Sequence, residues 1–284
     1  MSPKKYLPSS VKSILRELYR RFRRTVRLAT ASQRKLPDFI IIGAQKSGSS
    51  TLYWWLYQHP QLAMSFDKET KFFDRHFNKG VNWYRHQFPL SHGNNKLAGD
   101  NTPYYIFHPL VPERIYKTCP KAKLILILRN PVDRAYSQFQ MERRKGRETH
   151  DTFEAAIEGE MQRIKQAKAE LLKAPLKNNH NHENTSYLSR GKYVEQVRDW
   201  LKWFDREQLL VLESELIFAN PALLKTVYSF LNVENVPPTD LSAYNIVHYS
   251  TMPNELRIKL NQFFDPYNRE LEQVLNMKFN WGTL

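Results

Sequence analysis

Lys46 sits in a run of small residues, Gly43-Ala44-Gln45-Lys46-Ser47-Gly48-Ser49-Ser50, where one cation is set among backbone that a ligand can approach closely. A short apolar, β-branched run, Phe39 to Ile42, precedes it and reads as a buried parallel strand. Ser49 to Gln58 follows and reads as a helix that opens on hydroxyl residues and carries Leu52, Trp54, Trp55 and Leu56. Strand, small-residue loop and helix together make a phosphate cradle, because loop N–H groups converge and the helix N-terminus adds partial positive charge. Gly43 and Gly48 keep the spacing of the nucleotide P-loop, G-x-x-x-x-G-K-[ST], but Ser49 and Ser50 stand where Lys and Ser/Thr belong. Without that Lys-Ser/Thr pair to hold a γ-phosphate and Mg²⁺, the loop reads as an anion cradle that needs no metal. The plainer alternative is a glycine-rich turn in another α/β enzyme.

Arg129 is a second candidate. Lys123 to Leu128 is a buried strand ending at Arg129-Asn130-Pro131, and Pro131 suits the first turn of a helix that carries Arg134 and Ser137. An arginine at the carboxyl end of a parallel strand, with a serine further along the helix, lies where open α/β sheets bind ligands. A helix-capping arginine with a solvated serine is the alternative. A third stretch, Asp67-Lys68-Glu69-Thr70-Lys71-Phe72-Phe73-Asp74-Arg75, packs charge around two aromatics. His180 and His182 have no third ligand nearby and read as part of a solvated loop rather than a metal site.

The elements that must position these residues follow a strand-then-helix rhythm. Leu209 to Leu212 is a third buried strand, and helices are expected over 111–119, 189–204, 221–231 and 254–275. Residues 142–184 read as long-helical and charged, and Gly99-Asp100-Asn101-Thr102-Pro103-Tyr104-Tyr105 as a loop. The pattern predicts an α/β fold with a central, mostly parallel β-sheet flanked by helices on both faces. Residues 1–35 stand apart as a basic extension in which Glu17 is the only acid. Val11, Ile14, Leu15, Leu18, Phe22 and Val26 recur there at helical spacing, so residues 10–28 form an amphipathic helix. Such a helix can lie on an anionic membrane surface or pack its stripe on the domain.

A chain of 284 residues is ample for one large α/β domain. The net charge of +15 favours anionic partners: nucleic acid, lipid, a nucleotide or a charged glycan. No nucleic-acid motif is visible. One cysteine, Cys119, excludes an internal disulfide and suits a reducing compartment. No stretch approaches the ~18 consecutive apolar residues of a membrane-spanning helix, and no secretory signal follows the N-terminal lysines, so a cytoplasmic location is expected, with peripheral contact to the inner membrane face through residues 10–28. The sequon Asn184-Thr185-Ser186 would matter only in a secretory compartment.

Four blocks, in order, resemble the sulfotransferases that use 3′-phosphoadenosine 5′-phosphosulfate (PAPS). These are the loop around Lys46; Lys68-Glu69-x-Lys71-Phe72-Phe73-Asp74 with Lys79-Gly80-x-x-Trp83-Tyr84; Leu126-Ile127-Leu128-Arg129-Asn130-Pro131-x-x-Arg134-x-x-Ser137; and Ser189-Arg190-Gly191-x-Tyr193 with Trp200-Leu201. The resemblance is to the glycosaminoglycan (heparan sulfate) branch, as a bacterial-type soluble member. It implies a P-loop-like fold with residues 36–284 as a single sulfotransferase domain, PAPS as donor with no metal required, and a carbohydrate or other hydroxyl or amine acceptor. It implies that Lys46 and the loop from Gln45 through Ser47, Gly48, Ser49 and Ser50 to Thr51 bind the 5′-phosphosulfate, that Arg129 and Ser137 hold the 3′-phosphate, and that Glu69 is the general base. Lys68, Lys71, Asp74, Trp83, Asn101 and Tyr104 fall on its acceptor side.

Three positions depart from the branch. Lys71 replaces a frequent His, and Asn101 replaces a lysine. The segment Val247-His248-Tyr249-Ser250-Thr251-Met252 lacks a Lys-Gly-Arg-like third phosphate-binding piece, for which Arg190 would substitute. A P-loop kinase-like phosphotransferase and a non-enzymatic polyanion-binding protein are the alternatives.

Overall fold

The computed structural model describes residues 9–93, 95–174, 177–242, 244 and 250–281. Five strands, β1 (Phe39–Gly43), β2 (Leu62–Met64), β3 (Leu97–Asn101), β4 (Lys123–Leu128) and β5 (Leu209–Glu213), form one sheet in the order β2-β3-β1-β4-β5. Every pairing is parallel, with Ile40 opposite both Asp100 and Leu124. The apolar runs of β1 and β4 are buried on both faces, as a parallel sheet covered by helices requires. Ile40, Ile42, Leu124, Leu126 and Leu128 face the helices Tyr193–Leu201 and Asn254–Leu275 through Val197, Trp200, Leu271 and Leu275. Phe39, Ile41, Ile125 and Ile127 face Leu52, Trp55 and Leu56 of the Ser49–Tyr57 helix and Val227 and Leu231 of the Leu224–Leu231 helix. Alternation along each strand thus builds two cores, one per face.

β1 is first in the chain but central in the sheet, so connections run outward from it in both directions. The loops at the carboxyl ends of β1 and β4 carry Lys46 and Arg129 side by side, at the kind of switch point where open sheets bind ligands.

Three expectations are corrected. Gly99 to Asn101 is not loop but the end of β3. Gly99 is there because a Cβ would lie 2.3 Å from Cζ of Phe39, and Asp100 because buried hydroxyls need an acceptor, so tertiary demands override weak strand propensity. Residues 142–184 do not form one long helix. The Pro131–Arg144 helix ends, and Phe153–Ile157 and Glu160–Lys173 follow, separated at Gly159, which adopts φ +65°. The His180–His182 stretch is a helical turn capped by Asn179, whose Oδ1 accepts from the His182 amide at 3.1 Å, and His182 is buried.

Candidate active site

The loop after β1 is held from beneath and open above. The Ala44 amide donates to the Ile127 carbonyl of β4 at 2.8 Å, and the Ser47 amide turns back onto the Ala44 carbonyl at 3.2 Å. Lys46 and Gly48 take left-handed backbone, φ +72° and +91°, which bends the loop into a concave turn. Among the described residues, the amides of Lys46, Gly48, Ser49 and Ser50 meet no acceptor. Gly48 is obligatory twice over, because a Cβ would sit 2.2 Å from Cε2 of Phe218 as well as on left-handed backbone. Ser47, Ser49 and Thr51 are buried on the inner side of the turn.

Cations surround this cradle. Arg129 Nη1 donates to the Lys46 carbonyl at 3.3 Å, and the Arg129 carbonyl accepts from the Tyr193 hydroxyl at 2.9 Å. Burial pushes Lys46 down to about 8, assisted by repulsion from Arg144, Arg129 and Lys145, with Glu142 opposing. A half-buried lysine under net repulsion, next to unclaimed amides, is a site that an anion would relieve. Ser137 is buried on the Pro131–Arg144 helix, whose N-terminus is capped by Asn130 through the Val132 amide at 2.9 Å. Arg144 and Lys145 were not singled out from sequence. They lie at the far end of that helix, where their charge reads as an ordinary solvated terminus, and only the fold turns them toward Lys46.

The segment carrying Glu69 is pinned on both sides. Lys68 Nζ donates to Ser50 Oγ at 2.6 Å, tying the segment to the cradle helix. Thr70 Oγ1 donates to Asp100 Oδ2 at 2.8 Å, and the same oxygen accepts from the Tyr84 hydroxyl at 2.9 Å. The Tyr105 hydroxyl accepts from the Phe72 amide at 3.0 Å. Glu69 itself is exposed, with Lys71 Nζ 3.6 Å away. Lys71 adopts φ +49°, so the chain kinks directly after the pinned Thr70. Asp100 is fully buried, and burial raises it to about 6 despite its hydrogen bonds. Its anchoring role was not legible in the sequence, since it depends on Thr70 and Tyr84, 30 and 16 residues away.

The remaining predicted residues fall into two groups. Arg190 reaches the cradle, but its guanidinium is committed: Nη1 donates to Gln45 Oε1 at 2.6 Å, Nε to Ser186 Oγ at 2.8 Å, and Nη2 to the His182 and Glu183 carbonyls. Tyr104 lies under that guanidinium, 4.9 Å from centroid to carbon, with its hydroxyl 2.7 Å from His182 Nδ1. These residues form one cluster with the loop. Asp74, Asn101 and Trp83 form no such direct link. Asp74 is buried near Arg75, and desolvation raises it to about 7. Asn101 is fully buried at the end of β3, its amide without a hydrogen-bond partner among the described residues. Trp83 joins an aromatic cluster with Phe72, His76 and His86, with Lys79 over its face at 4.7 Å. Val247, His248 and Tyr249, from the stretch that lacks the third basic segment, lie outside the described residues.

A family model described as "Sulfotransferase domain" matches residues 36–263. The chain is 28% identical to a membrane-associated sulfotransferase of Dictyostelium discoideum, over 87% of this chain and 66% of that protein. It is also 28% identical to human heparan sulfate glucosamine 3-O-sulfotransferase 5, over 87% of this chain and 74% of that one. Among solved structures, a sulfotransferase from Alicyclobacillus acidocaldarius superposes with a TM-score of 0.69 at 29% identity, over 87% of this chain and 99% of the other.

Proposed function

The chain belongs to the sulfotransferase family, and from that membership we propose that it transfers a sulfuryl group from PAPS to a hydroxyl or amine of a carbohydrate acceptor. The observation that carries this reading is the state of Lys46: left-handed, half-buried, repelled by Arg129, Arg144 and Lys145, and flanked by amides that meet no acceptor among the described residues. This donor set fits the doubly anionic 5′ end of the donor, which supplies an activated sulfuryl group.

The roles follow from charge development. The Lys46 ammonium and the amides of Lys46, Gly48, Ser49 and Ser50 stabilise the negative charge that grows on the leaving phosphate oxygen as the sulfur–oxygen bond breaks, within a loop that runs from Gln45 to Thr51. Arg129 and Ser137 hold the 3′-phosphate. Arg190 acts one step back, holding Gln45 in place. Glu69 accepts the acceptor's proton as the new oxygen–sulfur bond forms, a contribution of about 10²–10⁴-fold. Lys71, its Nζ 3.6 Å from the carboxylate, places positive charge beside Glu69. Lys71 and Trp83 face the acceptor, while the buried Asp74 and Asn101 and the partly buried Tyr104 shape the wall behind it. No metal is required, because lysine supplies the positive charge. A carbohydrate acceptor rests on the likeness to the heparan sulfate enzyme and on the +15 charge. The single cysteine is our ground for a reducing, cytoplasmic compartment.

Calorimetric titration with 3′-phosphoadenosine 5′-phosphate (PAP), beside ADP and ATP without metal, tests the donor site. Binding that prefers the 3′-phosphorylated nucleotide and is lost in Lys46→Ala is expected. Equal binding of ADP would overturn the donor assignment and favour a phosphotransferase. Steeply salt-dependent polyanion binding that survives Lys46→Ala, without nucleotide binding, would favour a simple basic surface.

A further inference from the structure

The Ser9–Ala29 helix is amphipathic, but it is seated the wrong way round for a surface helix. Such helices ordinarily bury their apolar stripe and turn charge to water. Here the arginines dock. Arg20 and Arg24 pair with the two oxygens of Asp67 at 2.5 and 2.8 Å, and Arg27 donates to the carbonyls of His86 and Phe88 at 2.6 and 2.7 Å. Arg23 and Arg27 lie over the Phe66 ring at 5.2 and 5.1 Å. At 3.6 residues per turn, the row Leu18, Phe22, Val26 lies opposite the Arg20, Arg24, Arg27 row. That apolar row, extended by Ile14, Leu15 and Tyr19, faces outward, with Phe22 66% exposed and Leu18 55% exposed.

We propose that this outward face docks on an anionic lipid bilayer. Charge selects that occupant. Lys12, Arg16 and Arg23 rim the stripe, and the helix's single acid, Glu17, is already paired with Arg21 at 3.0 Å. Cations at the edge of an apolar stripe, with aromatic Tyr19 and Phe22 within it, suit a headgroup–acyl boundary. A second copy of the chain stacked on this face would instead bring two cationic rims together on molecules of charge +15. No helix among the described residues is long and apolar enough to cross a membrane, so the contact is peripheral. The arginine clasp on Asp67 makes the docking directional: the helix is fixed to the domain while its free face meets the lipid. Docking is independent of sulfuryl transfer and is read separately from it.

The test is flotation of the full chain with vesicles of phosphatidylcholine alone and with about one third phosphatidylglycerol. Binding to the anionic vesicles is expected to exceed that to neutral ones by about tenfold or more, each basic residue near the surface contributing several-fold. Phe22→Glu, on an exposed position, is expected to abolish flotation while circular dichroism and PAP affinity stay unchanged. Lys12→Gln with Arg16→Gln is expected to reduce the preference for anionic vesicles. Absence of flotation, equal binding to both vesicles, or full binding by Phe22→Glu would overturn the proposal. So would sedimentation showing a dimer that Phe22→Glu dissolves, which would assign the face to self-association.

Discussion

The depressed Lys46 ammonium makes nucleotide binding pH-dependent in a calculable way. With a value of about 8 in the free protein, Lys46 is protonated to about 0.9 at pH 7, about 0.5 at pH 8 and about 0.1 at pH 9. A bound phosphate favours the charged form and returns the lysine toward its ordinary 10.5. Binding should therefore draw in about 0.1 proton at pH 7, about 0.5 at pH 8 and about 0.9 at pH 9. Affinity should weaken toward tenfold per pH unit above about 8. The shift corresponds to about 2–3 kcal/mol of desolvation and repulsion that the anion relieves, after allowance for solvent screening. The phosphates of PAP are past their second ionisation, near 6, so they are silent in this window. The assay is calorimetry of PAP binding between about pH 8 and pH 9 in buffers of different ionisation enthalpy, where the slope of observed enthalpy counts protons. Lys46→Arg stays charged throughout and should bind with no uptake and a flat pH profile. A wild-type slope near zero at pH 9, or equal uptake by Lys46→Arg, would refute the reasoning.

Glu69→Gln should lower kcat by about 10²–10⁴-fold while PAP affinity and thermal stability hold, because the side chain is exposed and bears only on the acceptor proton; comparable loss of PAP binding would move Glu69 out of the base role. Gly48→Ala should destabilise the fold by about 1–3 kcal/mol and weaken PAP binding, since both φ +91° and the Phe218 ring oppose a Cβ. Pairing it with Phe218→Ala should recover only the steric part in urea denaturation. Asp100→Ala should cost about 2–4 kcal/mol by leaving the Thr70 and Tyr84 hydroxyls without their acceptor, and should lower kcat through a loosened Glu69 segment. Because burial raises Asp100 to about 6 and Asp74 to about 7, the folded state keeps these protons longer than the unfolded chain. Their contribution is greatest below about pH 4, where both states are protonated, and it is lost as pH rises from there through about 6 and 7, where the folded carboxyls ionise. Asp100→Asn should flatten that decline in denaturation curves.

Much of this protein is written locally. The continuous apolar runs of β1, β4 and β5, the small-residue loop around Lys46, and the long helix that spans Asn254–Leu275 are each recognisable from a few adjacent residues, because strand burial, turn permissiveness and helical periodicity are short-range properties. Sulfotransferase membership was likewise legible, carried by motifs in one order. Tertiary structure decided what depends on distant partners. Leu97–Asn101 is a strand only because it pairs with β1 and fits its glycine against Phe39. Arg190 serves Gln45, 145 residues away, through a hydrogen bond that no window of sequence contains. Arg144 and Lys145 bear on Lys46 because the helix after β4 returns to the loop after β1. The N-terminal helix showed its amphipathic pattern plainly, yet its pattern alone could not tell which face docks. That was settled by Asp67, whose carboxylate takes two arginines and leaves the apolar side outward.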